Sequence, residues 1–409
     1  MRIQKLTTAD ELFESERVLA TAFLHPWDED EARKKAADQA TGAAAVPEVT
    51  WGIYDDTDTL VCSISTLRHQ FAFGGQALSV GEVHMVGSLP EGRGGGNVRT
   101  LMAELLGDFK QRGDKLAVLI PFSFAFYRKF GFELAARRMT QRVPIEQLRG
   151  FACDYRVTRV NSEHDVAAVR GLYDAFAATR NLAMLREDAD WKYAGNGEWG
   201  ERDFFHRDCM RYSYVLWDKT GAARAYVTFI FVTGAEGPFV GELQVSDMVY
   251  DSPEAFRALL GFLYRMRAKA THVCFDLMDD IDLATILPEC EDVKRTMGGH
   301  VMARLLDVPG MLRQMPHPAG VGSYVVAVED AFMPENSGSY RVAFEAGKAT
   351  DVELADAAPD LSVTEETLCQ LIVGRIDLND ARYRMGTVVQ GNEGVLASVF
   401  TRCPVSLDL

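Results

Sequence analysis

The apolar positions in the first third of the chain switch between helical and extended spacing. Residues 8–23 carry apolar side chains at the three-to-four-residue interval of an amphipathic helix. A second such helix starts at Val98, directly after a glycine-rich turn. Strands are predicted in apolar runs separated by turn residues, at 49–53, 59–68, 80–89 and 116–120, with a hairpin at 71–78. The alternation predicts mixed layers of the α+β class.

The middle of the chain repeats this order of elements, without the glycine-rich turn between strand and helix. The repeat is predicted as a helix at 166–179, a hairpin at 212–233, a strand at 243–250, a helix at 253–270 and a strand at 272–277. The remainder predicts a smaller sheet with a helix, from strands at 322–328, 338–345 and 350–354, a helix at 364–373 and a strand near 397–400. We therefore expect three domains, at 1–145, 146–298 and 299–409, the second being a degenerate duplicate of the first.

Charge and cysteine content narrow the classes of function. The chain of 409 residues has 43 Lys and Arg against 59 Asp and Glu, a net charge of -16. This balance argues against nucleic acid as a partner and favours a cationic ligand, although acidity for solubility alone explains it equally well. The seven cysteines are scattered without metal-ligand spacing, which predicts thiols in a reducing compartment and no metal site. With no signal segment or apolar run of roughly 20 residues, we expect a cytoplasmic protein without a membrane span.

The segment 86–102 carries the strongest chemical signal, because it places a glycine-rich turn between a strand and an amphipathic helix. Glycine amides can approach an anion closely, and the start of a helix near Asn97 adds unpaired N–H groups and a favourable dipole. Arg93 and Arg99 supply positive charge. The turn therefore predicts a diphosphate-binding site, whose residues are Arg93, Gly94, Gly95, Gly96, Asn97, Val98 and Arg99.

Three kinds of phosphate-binding loop compete for this turn. A P-loop requires Gly-Lys-Ser/Thr where Asn97-Val98 stands, and a dinucleotide fingerprint lacks its third glycine here. The acyl-CoA pattern Arg/Gln-x-x-Gly-x-Gly/Ala fits from Arg93, except at its last position, Val98. A plain glycine-rich surface loop stays open as the alternative.

Further candidates for chemistry lie on both sides of this turn. Tyr127 is followed by Phe130-Gly131-Phe132, and its phenol, with a reference pKa of about 10, suits a general acid. Trp27 and Asp28, after the first helix, are candidates for contacting an amine; an acidic helix start above a packed tryptophan explains them equally. Glu82 and His84, alternating on the strand before the turn, are candidate bases, and His84 also fits a satisfied histidine of the core or cleft.

At these residues the sequence resembles the GNAT acetyltransferases of the Eis (enhanced intracellular survival) type, over nearly the whole chain. Val98-Arg99 is similar to that family's branched aliphatic residue followed by Arg, and residues 127–132 are similar to its Tyr-Gly-Arg-Phe-Gly-Tyr. Residues 304–308, Arg-Leu-Leu-Asp-Val, look like the opening of its third domain. The resemblance implies two tandem GNAT-like domains followed by a sterol-carrier-protein-like α+β domain. It also implies a homo-hexamer that acetylates amines, aminoglycosides included.

The same resemblance implies roles for individual residues. Acetyl-CoA would be the co-substrate: the backbone of Val86, Gly87 and Ser88 would pair with its pantetheine arm, and Phe122 and Ser123 would flank that arm. Tyr127 would be the general acid and the C-terminal carboxylate of Leu409 the general base. Other members usually end in an aromatic residue, so Leu409 departs from the pattern, although the carboxylate does not depend on the side chain. An unperturbed α-carboxyl has a pKa of about 3.3–3.7, and burial would have to raise it for this role.

The sequence thus predicts direct transfer of acetyl from acetyl-CoA to an amine of an aminoglycoside-like or polyamine-like cation. Asp408, beside the terminus, is a further candidate contact for such an acceptor. Two alternatives stay open. One is an acetyltransferase for protein lysines or N-termini, and the other is a non-catalytic protein that binds acyl-CoA or lipid.

Overall fold

The computed structural model describes residues 1–44, 48–188, 191, 211–234, 237–278 and 281–407. These residues form two compact units. The first unit contains residues 1–135 and 301–403, and the second contains residues 136–300 together with residues 404–407. Within the described residues, no helix combines the length and the apolar character needed to cross a bilayer.

Residues 1–135 fold as a mixed sheet with helices. The strands are β1 (Arg2–Leu6), β2 (Val49–Tyr54), β3 (Leu60–Phe73), β4 (Gln76–Ser88) and β5 (Leu116–Leu119), and the helices are α1 (Ala9–Phe23), α2 (Glu29–Thr41), α3 (Asn97–Gln111) and α4 (Phe124–Tyr127). Strands β1 to β4 pair antiparallel in chain order, and β5 pairs parallel with β4. Short 3-10 turns at Pro90–Gly92 and Arg128–Phe130 precede α3 and follow α4.

The second unit repeats this order. Its strands, in chain order, are β6 (Glu133–Pro144), β7 (Arg156–Arg159), β8 (Ala183–Met184), β9 (Arg211–Trp217), β10 (Ala223–Gly234), β11 (Gly237–Tyr250), β12 (Ala270–Met278) and β13 (Lys294–Leu305), and its helices are α5 (Glu163–Ala177) and α6 (Pro253–Tyr264). Strands β6 and β13 each cross a unit boundary. Pairing is antiparallel from β7 through β9 and β10 to β11, and β12 joins β11 in parallel.

The rest of the first unit holds a second, smaller sheet. Its elements are α7 (Val308–Gln314), β14 (Gly322–Glu329), β15 (Gly338–Glu345), β16 (Lys348–Leu354), β17 (Leu361–Thr364), α8 (Glu365–Val373), α9 (Leu378–Ala381), β18 (Val388–Val389) and α10 (Glu393–Val399). The strand order is β16-β15-β14-β17-β18. This architecture confirms the predicted α+β class with two repeated mixed-sheet domains and a third α+β domain.

The packing of α3 on the first sheet explains the amphipathic pattern that predicted this helix. Its buried apolar residues share one face, and they are Leu101, Met102, Leu105, Leu106 and Phe109. Full burial of such a side chain contributes about 1.5–3 kcal/mol. Gly81 of β4 lies directly under Phe109, where a Cβ would overlap the ring. The glycine thereby allows the helix to approach the strand that carries the candidate site.

The structure departs from the predicted elements in three places. The strands at 59–68 and 80–89 and the hairpin at 71–78 form one long hairpin, because Gly74 and Gly75, with φ of 58° and 72°, close a two-residue turn between β3 and β4. Residues 397–400, predicted as strand, belong instead mainly to the seven-residue helix α10, because a short apolar segment fits a buried helix as well as a strand. Helix α6 ends at Tyr264 rather than at 270, and successive turns lead into β12.

Candidate active site

The candidate site begins where β4 separates from β5 in the first unit. The parallel ladder between the two strands ends at Glu82 and Val118. Beyond that point β4 continues to Ser88, paired with β3 alone among the described strands. An extra residue, Met85, interrupts the pairing with β3 and has a φ of 46°. The bulge and the end of the ladder leave one edge of β4 open to a ligand that pairs as an added strand.

Val86, Gly87 and Ser88 lie on this open stretch of β4. Their Cα partners on β3 are Ile64, Ser63 and Cys62. A Cβ at Gly87 would lie 2.7 Å from Leu19 of α1, so the glycine lets α1 pack closely against the strand. The three residues predicted to pair with pantetheine therefore present backbone on the unpaired side of the sheet.

The glycine-rich turn leads from β4 into an uncapped helix. Gly94 and Gly96 have φ of 83° and 81°, which L side chains adopt only with strain. Gly96 is the N-cap of α3 and supplies no side-chain acceptor to the first turn. The first helical hydrogen bond runs from Thr100 N to Gly96 O, and the described residues offer no backbone acceptor to the amides of 97–99. These amides can therefore donate to an anion.

Two arginines flank this helix start. Arg93 is exposed and donates to the carbonyl oxygens of Ser88 and Ala22, each at 3.4 Å. Arg99 is exposed and donates to Lys129 O at 3.4 Å, with its guanidinium 4.8 Å from the ring centroid of Phe332. The remaining predicted residues also lie here: Gly95 is exposed, Val98 is half-buried, and Asn97 is buried with its Nδ2 donating to Gly92 O.

Tyr127 lies at the end of the four-residue helix α4, which follows β5. It is only 3% exposed, and its hydroxyl makes no hydrogen bond with the described residues. Rings surround the phenol at centroid distances of 5.2–6.5 Å, and they belong to Phe122, Phe126, Phe130 and Phe132. Burial raises the pKa of Tyr127, so the phenol keeps its proton at neutral pH. It is thus a buried proton donor.

Phe122 and Ser123 come directly before α4. Phe122 is 67% exposed although it contacts the ring of Tyr127, which leaves a large apolar surface facing solvent. Ser123 is the N-cap of α4, and its hydroxyl accepts from Phe126 N at 3.3 Å. Both residues therefore lie beside Tyr127, at the end of β5 that faces the opening.

Glu82 forms a cluster with two histidines at the point where the parallel ladder ends. His69 Nε2 lies 2.6 Å from Glu82 Oε2, and His84 Nδ1 lies 3.3 Å from Glu82 Oε1. Burial alone would raise the pKa of Glu82, but the hydrogen bonds with His69 and His84 outweigh it and lower that pKa. The hydrogen bond with Glu82 raises the pKa of His84 against the opposing effect of burial. The carboxylate is therefore held ionised and binds a histidine that gains a proton readily.

The other candidates for acceptor contact lie after α1 or at the C-terminus. Trp27 is 42% exposed and packs against Phe13 at 5.6 Å between ring centroids. Asp28 is the N-cap of α2, and its carboxylate accepts from Glu31 N at 3.0 Å. Asp408 and Leu409 lie outside the described residues.

Sequence reasoning missed His69 and the contacts that β13 makes with the segment 127–132. His69 is on β3, opposite Val80, and only the register of the hairpin brings it to Glu82. Arg304 of β13, fully buried, donates through Nη1 to Phe130 O, and through Nη2 it pairs with Asp330 at 2.5 Å. The polar stretch Arg68-His69-Gln70 inside β3 was the available signal for His69, and no local pattern pointed to the contact of Arg304.

Comparisons with known proteins agree with this architecture. Residues 3–135 and 182–305 each match an acetyltransferase (GNAT) domain family, and residues 308–405 match a sterol carrier protein domain family. An uncharacterized N-acetyltransferase of Streptomyces coelicolor is 27% identical over 338 residues, which are 79% of this chain and 78% of that protein.

Solved structures have the same fold over the full length. A probable N-acyltransferase of Enterococcus faecalis aligns with a TM-score of 0.81 at 21% identity, covering 100% of this chain and 99% of its own. A GCN5-related N-acetyltransferase of Anabaena variabilis (TM-score 0.81) and Eis1 of Mycobacterium abscessus (TM-score 0.79) each align at 19% identity, with 100% of both chains covered. The chain is therefore a GNAT acyltransferase with two GNAT domains, a class of domain that uses acetyl-CoA, and a sterol-carrier-protein-like domain, and it shares its fold with Eis1.

Proposed function

We propose that the protein transfers acetyl directly from acetyl-CoA to an amine of a cationic small molecule, in the first GNAT domain. The observation that supports this most is the open edge of β4, which ends at an uncapped, glycine-rich start of α3. The corresponding helix of the second GNAT domain, α6, lacks such a start, since it begins with Ser252 as its cap and Pro253 as its first residue.

The open stretch of the first domain suits each part of coenzyme A. Val86, Gly87 and Ser88 would pair their backbone with the pantetheine amides. The amides of residues 94–99, with Arg93 and Arg99, would hold the diphosphate, since backbone N–H groups and guanidinium groups both stabilise phosphate oxygens. Phe122, exposed beside Tyr127, and Ser123 would flank the arm near the thioester.

Proton transfer requires an acid and a base. Tyr127 would protonate the departing thiolate, because its buried phenol is neutral and its hydroxyl makes no competing hydrogen bond with the described residues. The C-terminal carboxylate of Leu409 would take the proton of the ammonium. The cluster of Glu82 and His84 is the alternative base, since the lowered pKa of Glu82 keeps a carboxylate ionised near the opening. No metal is needed in this scheme.

A cationic acceptor is supported by the charge of the chain and by the acidic groups near the opening. The net charge is -16. Four acidic residues lie at the start of α2, and they are the N-cap Asp28 and the first-turn residues Glu29, Asp30 and Glu31. An acidic surface raises the local concentration of polyamines or aminoglycosides. Protein amines are the alternative acceptors. A cytoplasmic homo-hexamer, as the family resemblance implies, completes the proposal.

Mass spectrometry of an amine panel incubated with acetyl-CoA tests this proposal. The panel holds spermidine, an aminoglycoside and a lysine-containing peptide, and acetylated spermidine or aminoglycoside is the expected product. Tyr127→Phe should lower kcat by roughly 10²–10⁴, the usual contribution of a general acid. Tyr54→Phe, which removes a different hydroxyl of the same domain, should leave kcat unchanged. If no amine is acetylated, or if only the peptide is, the proposed substrate class is wrong.

The choice between the two bases needs its own pair of variants. Deleting Leu409 moves the terminal carboxylate by one residue, whereas Leu409→Ala keeps it in place. The deletion should lower kcat at least a hundredfold if the carboxylate is the base, and Leu409→Ala should change it less than threefold. Equal activity of the two variants, combined with a large loss in Glu82→Gln, would assign the role to Glu82 instead.

A further inference from the structure

The loop between β14 and β15 of the third domain, residues 330–337, packs against the first GNAT domain within the same compact unit. Met333 of this loop is 7% exposed and belongs to the apolar core that also contains Tyr127 and the buried face of α3. Near the other end of α3, Lys110 Nζ donates to Asn336 Oδ1 at 2.9 Å. The loop therefore lies along the helix whose start is the proposed diphosphate site.

The ring of Phe332 in this loop contacts two parts of the proposed site. The guanidinium of Arg99 lies 4.8 Å from its centroid. The ring of Phe130 meets it edge to face, with 5.5 Å between the centroids. Phe332 therefore connects the arginine in the first turn of α3 with the segment that carries Tyr127.

A buried carboxylate fixes the backbone that carries this ring. Asp330 is 4% exposed, and its Oδ1 accepts from Phe332 N at 3.0 Å and from Met333 N at 2.9 Å. Its Oδ2 accepts from Arg304 Nη2 at 2.5 Å and from Asn336 Nδ2 at 3.1 Å. Because both oxygens are bonded, the conformation of the loop and the position of the ring are set before any ligand binds.

Arg99 has few other contacts that could hold its side chain. It is exposed, and its only hydrogen bond with the described residues runs from Nη1 to Lys129 O at 3.4 Å. An arginine that is already held in place loses less conformational entropy when it binds a ligand. Stacking uses the face of the guanidinium, whereas its N–H donors lie in the plane. The contact with Phe332 therefore leaves these donors free for phosphate oxygens.

Arg93, the other arginine of the proposed diphosphate site, is held in a different way. Its guanidinium donates to the carbonyl oxygens of Ser88 and Ala22. No aromatic ring in the described part of the chain lies over it. The two arginines are therefore a matched pair, of which Arg99 alone should depend on Phe332.

We propose that Phe332 of the third domain is a positioning residue for the binding of coenzyme A. Its ring holds the guanidinium of Arg99 beside the free amides at the start of α3, where this guanidinium binds the diphosphate. The inference rests on the proposed function, because it requires that the first GNAT domain binds coenzyme A at this turn. It gives the sterol-carrier-protein-like domain a part in the binding of the co-substrate.

Calorimetric titration of the full-length protein with coenzyme A tests this role. Phe332→Leu should raise the Kd about two- to fivefold, the loss typical of one exposed cation–π contact. Phe332→Tyr keeps an aromatic face and should keep the wild-type Kd. Phe344→Leu, the same change at a phenylalanine of the third domain that packs on His317, should also leave the Kd unchanged. An unchanged Kd in Phe332→Leu, or an equal rise in Phe344→Leu, would overturn the proposal.

Combined variants separate a contact with Arg99 from a general loosening of α3. Arg99→Gln alone should raise the Kd about tenfold or more, because it removes charge-assisted hydrogen bonds to phosphate. Phe332→Leu should have no further effect in Arg99→Gln, whereas in Arg93→Gln it should still raise the Kd about two- to fivefold. An equal effect of Phe332→Leu in both backgrounds would refute the positioning of Arg99. Phe332→Met, which keeps an unbranched apolar side chain, replaces Phe332→Leu if the latter lowers the thermal midpoint.

The wild-type titration distinguishes a failure of this inference from a failure of the proposed function. A wild-type protein without affinity for coenzyme A would refute both. Wild-type binding without coupling between Phe332 and Arg99 would refute the role of Phe332 alone, and the proposed transfer of acetyl would be unaffected.

Discussion

The contact between Gly131 and Arg304 predicts how strand β13 supports the segment 127–132, which contains Tyr127. Gly131 has a φ of 83°, and a Cβ at this position would overlap Nη1 of Arg304. Arg304 is fully buried, donates to Phe130 O and pairs with Asp330, which is also buried. Gly131→Ala should therefore strain the backbone and also displace a buried cation from its partners.

The size of the effect follows from these two contributions. A left-handed conformation costs an L residue about 1–2 kcal/mol. Breaking a buried ion pair costs about 3–5 kcal/mol more, because the buried charge left behind loses its counter-ion. Gly113→Ala is the matched control: its φ is 88° and a Cβ there meets no atom within 4 Å, so only the first cost applies.

Thermal unfolding followed by circular dichroism measures the difference. At roughly 2–4 °C per kcal/mol for a unit of this size, Gly131→Ala should melt about 6–20 °C below Gly113→Ala. Added to Arg304→Met, the Gly131→Ala change should cost much less than it does alone, because the clash is already relieved. Equal midpoints for Gly131→Ala and Gly113→Ala, or full additivity with Arg304→Met, would refute the reasoning.

Two further predictions concern the helix start and the histidine cluster. Gly96→Val should raise the Kd for coenzyme A, measured by calorimetry, at least tenfold. The reason is that valine adopts the φ of 81° only with strain, and this conformation orients the amides of the first turn of α3. Gly113→Val, at the other end of α3, should leave that Kd unchanged. The raised pKa of His84 stabilises the fold below about pH 6.5, its ordinary value, and this contribution disappears as pH rises through the folded-state pKa. The lowered pKa of Glu82 stabilises the fold above about pH 4.5. His84→Gln should therefore lower the free energy of unfolding, measured in urea, most near pH 5.5 and hardly at pH 8.5. An equal loss at both pH values would contradict this.

Local patterns predicted the parts of the site that depend on neighbouring residues in sequence. The helical spacing of 98–109 and the glycines before it predicted α3 and its exposed start, because both features are set within a few turns of chain. Tyr127 was singled out by its own segment, although its enclosure by four phenylalanine rings was not. The register of paired strands cannot be predicted from local sequence patterns. The bulge at Met85 shifts every later pairing of β4 by one residue, and no residue type in the sequence indicates where it occurs.

Contacts between distant segments were equally out of reach. His69 approaches Glu82 only through the hairpin register, and Arg304 reaches Phe130 across 174 residues of chain. Gly131 looked like a simple turn glycine, since a positive φ explains it locally. The structure adds a second reason for glycine there, because a buried arginine occupies the space of the missing Cβ.

The two GNAT units show that the sheet opening and the anion site are separable features. Both units have a bulge beside the end of a parallel ladder, at Met85 and at Ser246. They differ in the turn that follows. Gly96 leaves the first amides of α3 free, whereas in α6 the Ser252 side chain accepts from the amide of Ala255 and Pro253 has no N–H. A few residues at the helix start therefore decide which opening suits a diphosphate.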